Sequence, residues 1–590
     1  MRTGETLRSP VNNETRRTKI MSMPPASRSM LGASLKAFFF FMLFLYAGFL
    51  LLSPQLGPSD EYAFLPTLQS GKFFPMYGED FPYYNSTELG RFGPLGGQEY
   101  NIVALFSRSP AGYFALNAAE MLLFAVLFVW ILRECSINRA LIYFAGVVVL
   151  LVPGFTLSFF KLLYVEKNVL VLFSVFVASY LLFLKRPRTI YLVLALLSAN
   201  AAIYYKEPVF IAIAVFAAGH LWLTWKTSSG KVKLLDGLLI GGAALYIGIY
   251  LITVMPNRGP SMYLPAAADN NILTLLKNVL NYALFSDPIP VLVLIPLLLW
   301  RLFRVFGGRD PAHPVLDPMA AAGVAYAGVF FALNMYGPYY LLPVYLFSLP
   351  PVLYFFQQGK LRGVFWTGIL SVTALVLVSN AVPLAIHYVS YNKYVPVNFD
   401  KTMNFLVEDI NRRYAGQRLN VFFDGVDRGT GLGVYFIAGE YLKFKGLPLT
   451  KFDFKSDIEA RNPGPPVGKA SPFDRPEDVD AVDPLRAYQY RQFPYSVYQP
   501  GSLPSIQRGD YLIVSPQSTR NIDGEYIEKL KRDHDLVFHT ESAFSVPRFD
   551  LKTLLKHYLS RKLSSAQKAQ GAMLNENMWS WPDYYVFVRK

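Results

Sequence analysis

The chain of 590 residues contains one cysteine, Cys135, and six histidines. A single thiol excludes an intrachain disulfide and any cysteine-based metal site. The histidines include no H-x-x-x-H pair, which argues against a clustered-histidine metal centre. Charged residues are also scarce, at 16% of the chain, too few for the surface of a soluble globular protein of this size. A cleavable leader is not expected. Met1–Lys36 is polar, basic and long for a leader, and no small-residue cleavage site follows the apolar run at 37–52. That run reads as an anchor that is kept.

Apolar and aromatic residues are abundant. Hydrophobic residues make up 53% of the chain, with 47 Phe and 38 Tyr, and mean hydropathy is +0.28. This composition points to a polytopic α-helical membrane protein. The net charge of +15 is spread over short loops between apolar runs. It is explained by topology rather than by nucleic acid as a partner.

A helix needs about 20 apolar residues to cross a bilayer. Roughly eleven runs approach that length, near 37–52, 111–131, 140–157, 168–184, 189–204, 208–225, 235–255, 288–303, 318–334, 340–356 and 364–386. Alternate loops carry Arg133 and Arg139; Lys185, Arg186 and Arg188; Lys226, Lys231 and Lys233; Arg301, Arg304 and Arg309; and Lys360 and Arg362. The N-terminal arm adds seven more Lys and Arg up to Lys36. With eleven spans these six segments share one side, and the positive-inside rule makes that side the cytoplasm. The expected organisation is a cytoplasmic arm at 1–36, a transmembrane domain at 37–390 with a long first outer loop at 53–110, and an extracytoplasmic domain at 391–590. The chain is then a multi-pass protein of the plasma or inner membrane.

From about Tyr391 charged residues return. Strand-length runs at 419–423, 511–514, 536–539 and 584–588 alternate with helix-like segments at 433–444 and 526–532, which suggests a small α/β domain. Residues 461–505, rich in Pro, Asp and Arg, read as a loop.

The outer loops hold the unusual chemistry. Ser59-Asp60-Glu61-Tyr62 follows the first apolar run and places two adjacent carboxylates at the membrane mouth. The rest of the first loop adds Arg91, Glu79, Asp80, Glu88 and Glu99 among aromatics, and a loop that long is functional or disordered; its aromatic content argues against disorder. Further along come Lys161, Glu166 and Lys167. Lys206-Glu207 sits in a turn of about three polar residues, where the lysine is a snorkelling charge, an ion pair with its neighbour, or a phosphate contact. The fourth outer loop contributes Arg258. Three features have plainer readings. Asp424 to Gly433 lies between a strand and a helix, as a phosphate-binding turn would, but lacks the G-x-G-x-x-G spacing and reads as a turn that needs small residues. Asn85-Ser86-Thr87 is a glycosylation sequon only in a eukaryotic secretory pathway. His220, near the inner face, reads as a packed or interfacial histidine rather than a ligand.

An acidic pair just past the first span, a long first outer loop, roughly eleven spans and an outer C-terminal domain resemble the GT-C glycosyltransferases. That superfamily includes the protein O-mannosyltransferases, the lipid A aminoarabinose transferase and mycobacterial arabinosyltransferases. The resemblance rests on Ser59-Asp60-Glu61-Tyr62 and, more loosely, on Tyr205-Lys206-Glu207-Pro208. It implies a hexosyl- or pentosyltransferase that uses a polyprenyl-phosphate-sugar donor, by a metal-independent or metal-assisted inverting transfer on the outer leaflet. The acceptor is a glycan, a lipid or a protein. No residue set indicates a metal or other cofactor. The reading of the residues agrees. Transfer needs a base for the acceptor's proton and cationic groups for the departing phosphate. Asp60 or Glu61 can supply the first, and Lys206, Arg258 or Arg91 the second, with Glu207 beside them. The alternative is a transporter or flippase of lipid-linked or small-molecule substrates. It calls for charges deep within spans, an internal repeat and discontinuous helices; the sequence has no clear repeat, and its apolar runs are nearly free of charge at their centres.

Overall fold

The computed structural model describes residues 25–58, 61, 64–65, 68, 90–257, 272–333, 337–424, 431–448, 450–455, 506–518, 522, 524–543 and 582–590. Asp60, Arg258, the sequon at 85–87 and the glycine-rich turn at 425–430 lie outside them. Every one of the eleven apolar runs falls on helix. Among the described residues six helices are long and apolar enough to cross a membrane, seven if one bent pair counts as a span. The other four, Thr189–Tyr205, Val209–Thr224, Leu316–Ala332 and Val344–Gln357, are apolar but shorter, at 10–17 residues. The chain is a multi-pass membrane protein. Exposed Phe40, Phe41, Phe44, Leu197 and Leu251 give its helices the apolar outer faces that a lipid environment requires.

The bent pair is Arg139–Leu150 and Pro153–Phe159, which meet at 63°. Its cause is local. Pro153 lacks an amide proton and forces the preceding residue out of helical conformation; Val152 is extended, at φ −95° and ψ 146°. Gly154 lets a neighbouring turn come close, since a Cβ there would stand 2.5 Å from the Pro338 carbonyl oxygen. That approach brings Tyr339 and Tyr340 over the helix ends that form the site.

The last apolar run does not stop at the membrane. Val364–Arg413 is one stretch of helix interrupted by a π-helical segment, Leu377–Ala381. Its distal half, Val382–Arg413, carries the C-terminal domain. There Asp400 accepts from Tyr441 Oη at 2.8 Å and Asp409 from Tyr511 Oη at 2.7 Å. Asn398 Nδ2 donates to the Pro582 carbonyl at 2.7 Å. Among the domain's described residues are β1 Leu419–Phe423, β2 Phe452–Lys455, β3 Tyr511–Val514, β4 His534–His539 and β5 Tyr585–Arg589, which form a mixed sheet in the order β2-β1-β3-β5-β4. β1 pairs in parallel with β2 and β3, whereas β5 is antiparallel to β3 and β4. β3 is buried along its whole length, as a central strand of apolar residues should be. The helices Gly431–Phe444 and Gly524–Asp533 match the expected segments; β2, four residues with two charges, was not anticipated.

Candidate functional site

Consecutive antiparallel helices bring the start of one beside the end of the next. Helices Glu166–Lys185 and Thr189–Tyr205 are joined by only three residues, so Glu166 and Lys206 come to the same level. Lys206 Nζ stands 3.1 Å from Glu166 Oε1, within ion-pair distance but outside hydrogen-bond geometry. It also lies 4.8 Å from the centre of the Tyr340 ring, a favourable place for an ammonium. Lysine carries three donors, and these two contacts leave capacity for another anion. Both residues are buried. Burial works to lower the Lys206 pKa; Glu166, Tyr340 and Glu207 together outweigh it against the opposing Arg91, and the net direction is upward. The side chain is therefore a cation at neutral pH.

Its neighbour in sequence takes a different part. Glu207 Oε1 accepts the Phe92 amide at 3.1 Å rather than pairing with Lys206. Tyr246 Oη donates to the Phe92 carbonyl at 2.8 Å, Tyr250 Oη to the Gly90 carbonyl at 2.9 Å, and the Leu95 amide to the Tyr204 carbonyl at 3.1 Å. These bonds stitch the end of the connection at 53–110 across two helix ends. Arg91 is half-buried beside them, close enough to act on the Lys206 charge.

Glu61 is buried. Its Oε2 accepts the Gly57 amide at 2.6 Å and its Oε1 the Leu162 amide at 3.0 Å. The carboxylate thus clamps the beginning of the first loop to the 160–165 connection. It borders a cavity of about 130 Å³, lined also by Pro58, Lys161, Asn392, Pro396 and Gln517. First loop, long helix and C-terminal domain meet there.

A second lysine shows what a purely structural one looks like. Lys167 Nζ donates to the carbonyls of Leu162, at 2.7 Å, and Tyr164, at 3.3 Å. Glu120, Glu99, Glu166 and Glu61 surround its charge. Glu99 Oε2 accepts from Tyr205 Oη at 2.9 Å, and Asn168 Nδ2 donates to Glu120 Oε1 at 2.8 Å. Glu99 Oε1, Glu120 Oε2 and Asn168 Oδ1 have no hydrogen-bond partner among the described residues. Burial pushes the Glu99 pKa up, with Lys167 acting against it. Among the described residues no group of three or more His, Cys, Asp or Glu is placed to hold a metal ion.

Of the six residues singled out from sequence, the structure brings Lys206, Glu207 and Arg91 together around the end of helix Thr189–Tyr205. It puts Glu61 on the adjoining 160–165 connection, while Asp60 and Arg258 lie outside the described residues. Sequence reasoning missed Glu120, Asn168 and Asp287. Glu120 was detectable as an acid inside an apolar run, which is itself a signal. Asp287 is buried just ahead of Pro288 and accepts from Tyr345 Oη at 2.7 and 2.6 Å; burial raises its pKa to about 6, with Tyr345 and the Ile289 amide acting against the rise. A second acid inside a run, Asp236, accepts from Tyr180 Oη at 2.6 Å and sits 2.8 Å from His220 Nδ1, so His220 is buried and partnered, as expected.

No family model matches the chain, and no curated protein does. Sixteen chains of solved structures match. One is the archaeal oligosaccharyltransferase AglB from Archaeoglobus fulgidus, in complex with an inhibitory peptide and a dolichol-phosphate; it is 11% identical, with a TM-score of 0.39, and the match covers 82% of this chain and 70% of that one. Another is ArnT from Cupriavidus metallidurans bound to undecaprenyl phosphate, 12% identical with a TM-score of 0.35, where the match covers 87% of this chain and 97% of that one.

Proposed function

We propose that the chain is a membrane glycosyltransferase of GT-C type that moves a sugar from a polyprenyl-phosphate donor to an acceptor at the outer face. The observation that carries this reading is Lys206. It is a buried cation at the head of apolar helices, with one carboxylate oxygen and one ring face in contact and donors to spare. A lipid-linked phosphate needs such a seat, with its polyprenyl tail among the apolar helices. Arg91 is the second cation toward the same phosphate, and Arg258 a third candidate.

Asp60 is the general base in this scheme. The acceptor hydroxyl gives its proton to the Asp60 carboxylate as its oxygen bonds to the anomeric carbon. The bond from that carbon to the phosphate oxygen breaks on the opposite face. Polyprenyl phosphate leaves with the electron pair, and the anomeric configuration inverts. Glu61, the next residue in sequence, receives two backbone amides and takes a structural part rather than that of the base. The topology that fits is eleven spans, with the C-terminal domain outside. The test is to offer the purified protein a polyprenyl-phosphate sugar and a nucleotide sugar. Transfer from the lipid donor alone is expected; transfer from the nucleotide donor alone refutes the proposal.

The flippase reading draws on a separate observation, the 63° break at Val152 together with half-buried Glu120 within a span, because broken helices and ionisable groups within spans mark transport paths. Movement of a labelled lipid across proteoliposomes without sugar transfer is the outcome that favours it.

A further inference from the structure

At the other end of the bundle, helix Pro25–Leu51 meets helices Pro110–Glu134 and Arg139–Leu150 where all three leave the apolar layer. This is the face on which Lys and Arg concentrate. Between them lies a cavity of about 620 Å³ lined by Gly32, Ala33, Lys36, Arg133, Arg139 and Tyr143, with Val129, Ala140 and Ile142 behind. That volume is in the range of small-molecule sites. Among the described residues no acid lines it, and none of its three cations has an ion-pair partner. Glu134, next to Arg133, is engaged by Lys185.

Two further features favour an amphiphilic anion. Helix Arg139–Leu150 begins at the cavity wall. Its N-cap, Asn138, satisfies the Leu141 amide, and the positive end of the helix dipole adds to the three cations. An aromatic strip also leads from the cavity onto the lipid-facing surface. Tyr143 lies 6.3 Å from Phe40, and Phe40 stacks at 6.3 Å on Phe44, which is 64% exposed. The site is distinct from that around Lys206. Arg133 follows Glu120 by thirteen residues on one helix, roughly 20 Å at the α-helical rise.

We propose that this cavity binds the phosphate headgroup of an anionic phospholipid from that leaflet, with one acyl chain laid along Tyr143, Phe40 and Phe44. Basic pockets between helices at this level recognise such headgroups. Each Lys or Arg near an anionic surface contributes about fivefold in affinity, so three give on the order of 100-fold.

The experiment is native mass spectrometry of the full chain, stripped of lipid in neutral detergent and titrated with phosphatidylglycerol or phosphatidylcholine. Retention of phosphatidylglycerol over phosphatidylcholine is expected, with loss of that preference by roughly 100-fold in the K36Q/R133Q/R139Q variant. Millimolar glycerol 3-phosphate should not displace the lipid. Equal retention of the two lipids, unchanged preference in the variant, or displacement by glycerol 3-phosphate overturns the proposal. Should the triple variant fail to fold, Ala33→Phe keeps all three charges and narrows the cavity. It should lose the bound lipid, and wild-type retention in that variant overturns the proposal equally.

Discussion

Replacing Lys206 by methionine keeps most of the side-chain stem and removes the ammonium. Two losses then have to be told apart. The first is structural. Glu166 is left buried without its counter-ion, and breaking one side of a buried pair costs about 3–5 kcal/mol. The second is functional. A phosphate that loses a charge-assisted contact gives up about 1.5–3 kcal/mol, which raises KM for the lipid donor roughly 10- to 100-fold. The double change K206M/E166Q separates them. With neither charge present, no uncompensated ion remains, and replacing a buried pair is often near neutral. Thermal unfolding in detergent should show K206M clearly destabilised and the double variant largely restored, a coupling expected of residues in contact. Donor KM should stay raised in both. A double variant that is stable and has a wild-type KM would show that Lys206 serves only Glu166, and the phosphate seat would have to be abandoned.

Other expectations follow from the same geometry. Glu61→Gln replaces one of two accepting oxygens by a donor group facing a backbone amide, so it should cost about 1.5–3 kcal/mol in unfolding experiments; an unchanged melting temperature would deny its clamping role. Asp60→Asn should lower kcat roughly 10²–10⁴-fold while lipid-donor binding is largely kept, and correctly inserted protein with wild-type turnover would remove Asp60 from the scheme. Asp287 has its pKa raised by burial from 3.8 to about 6. The folded state therefore holds this proton more tightly, and the group's stabilising contribution, complete below pH 4, is lost as pH rises through about 6. Asp287→Asn should accordingly flatten that part of a melting-temperature profile, and parallel profiles would refute the assignment. A reporter fused after Lys590 should be active only if it works outside the cytoplasm; cytoplasmic activity would invert the topology.

How far the sequence reaches can be followed through single residues. Membrane class, the apolar runs and their helices are consequences of composition along the chain. A stretch such as 110–134 has no other way to satisfy its backbone in lipid than by forming a helix. The strands at 419–423 and 511–514 were legible for a similar reason, as short β-branched and aromatic runs between turn residues. Even the Lys206–Glu166 encounter was latent in the three-residue link between two antiparallel helices. That reasoning stops at the helix ends. Which oxygen meets which proton depends on helix rotation, on the 63° break at Pro153 and on the close approach at Gly154 that seats Tyr340 above Lys206. Lys167 and Lys206 look alike as letters beside apolar runs. Only the tertiary structure gave one of them two carbonyls and the other a carboxylate and a ring face. The physical reason is that hydrogen bonds and ion pairs fall away within an ångström or so of misplacement, whereas hydrophobic burial tolerates it; local sequence therefore set the helices, and their packing decided the chemistry.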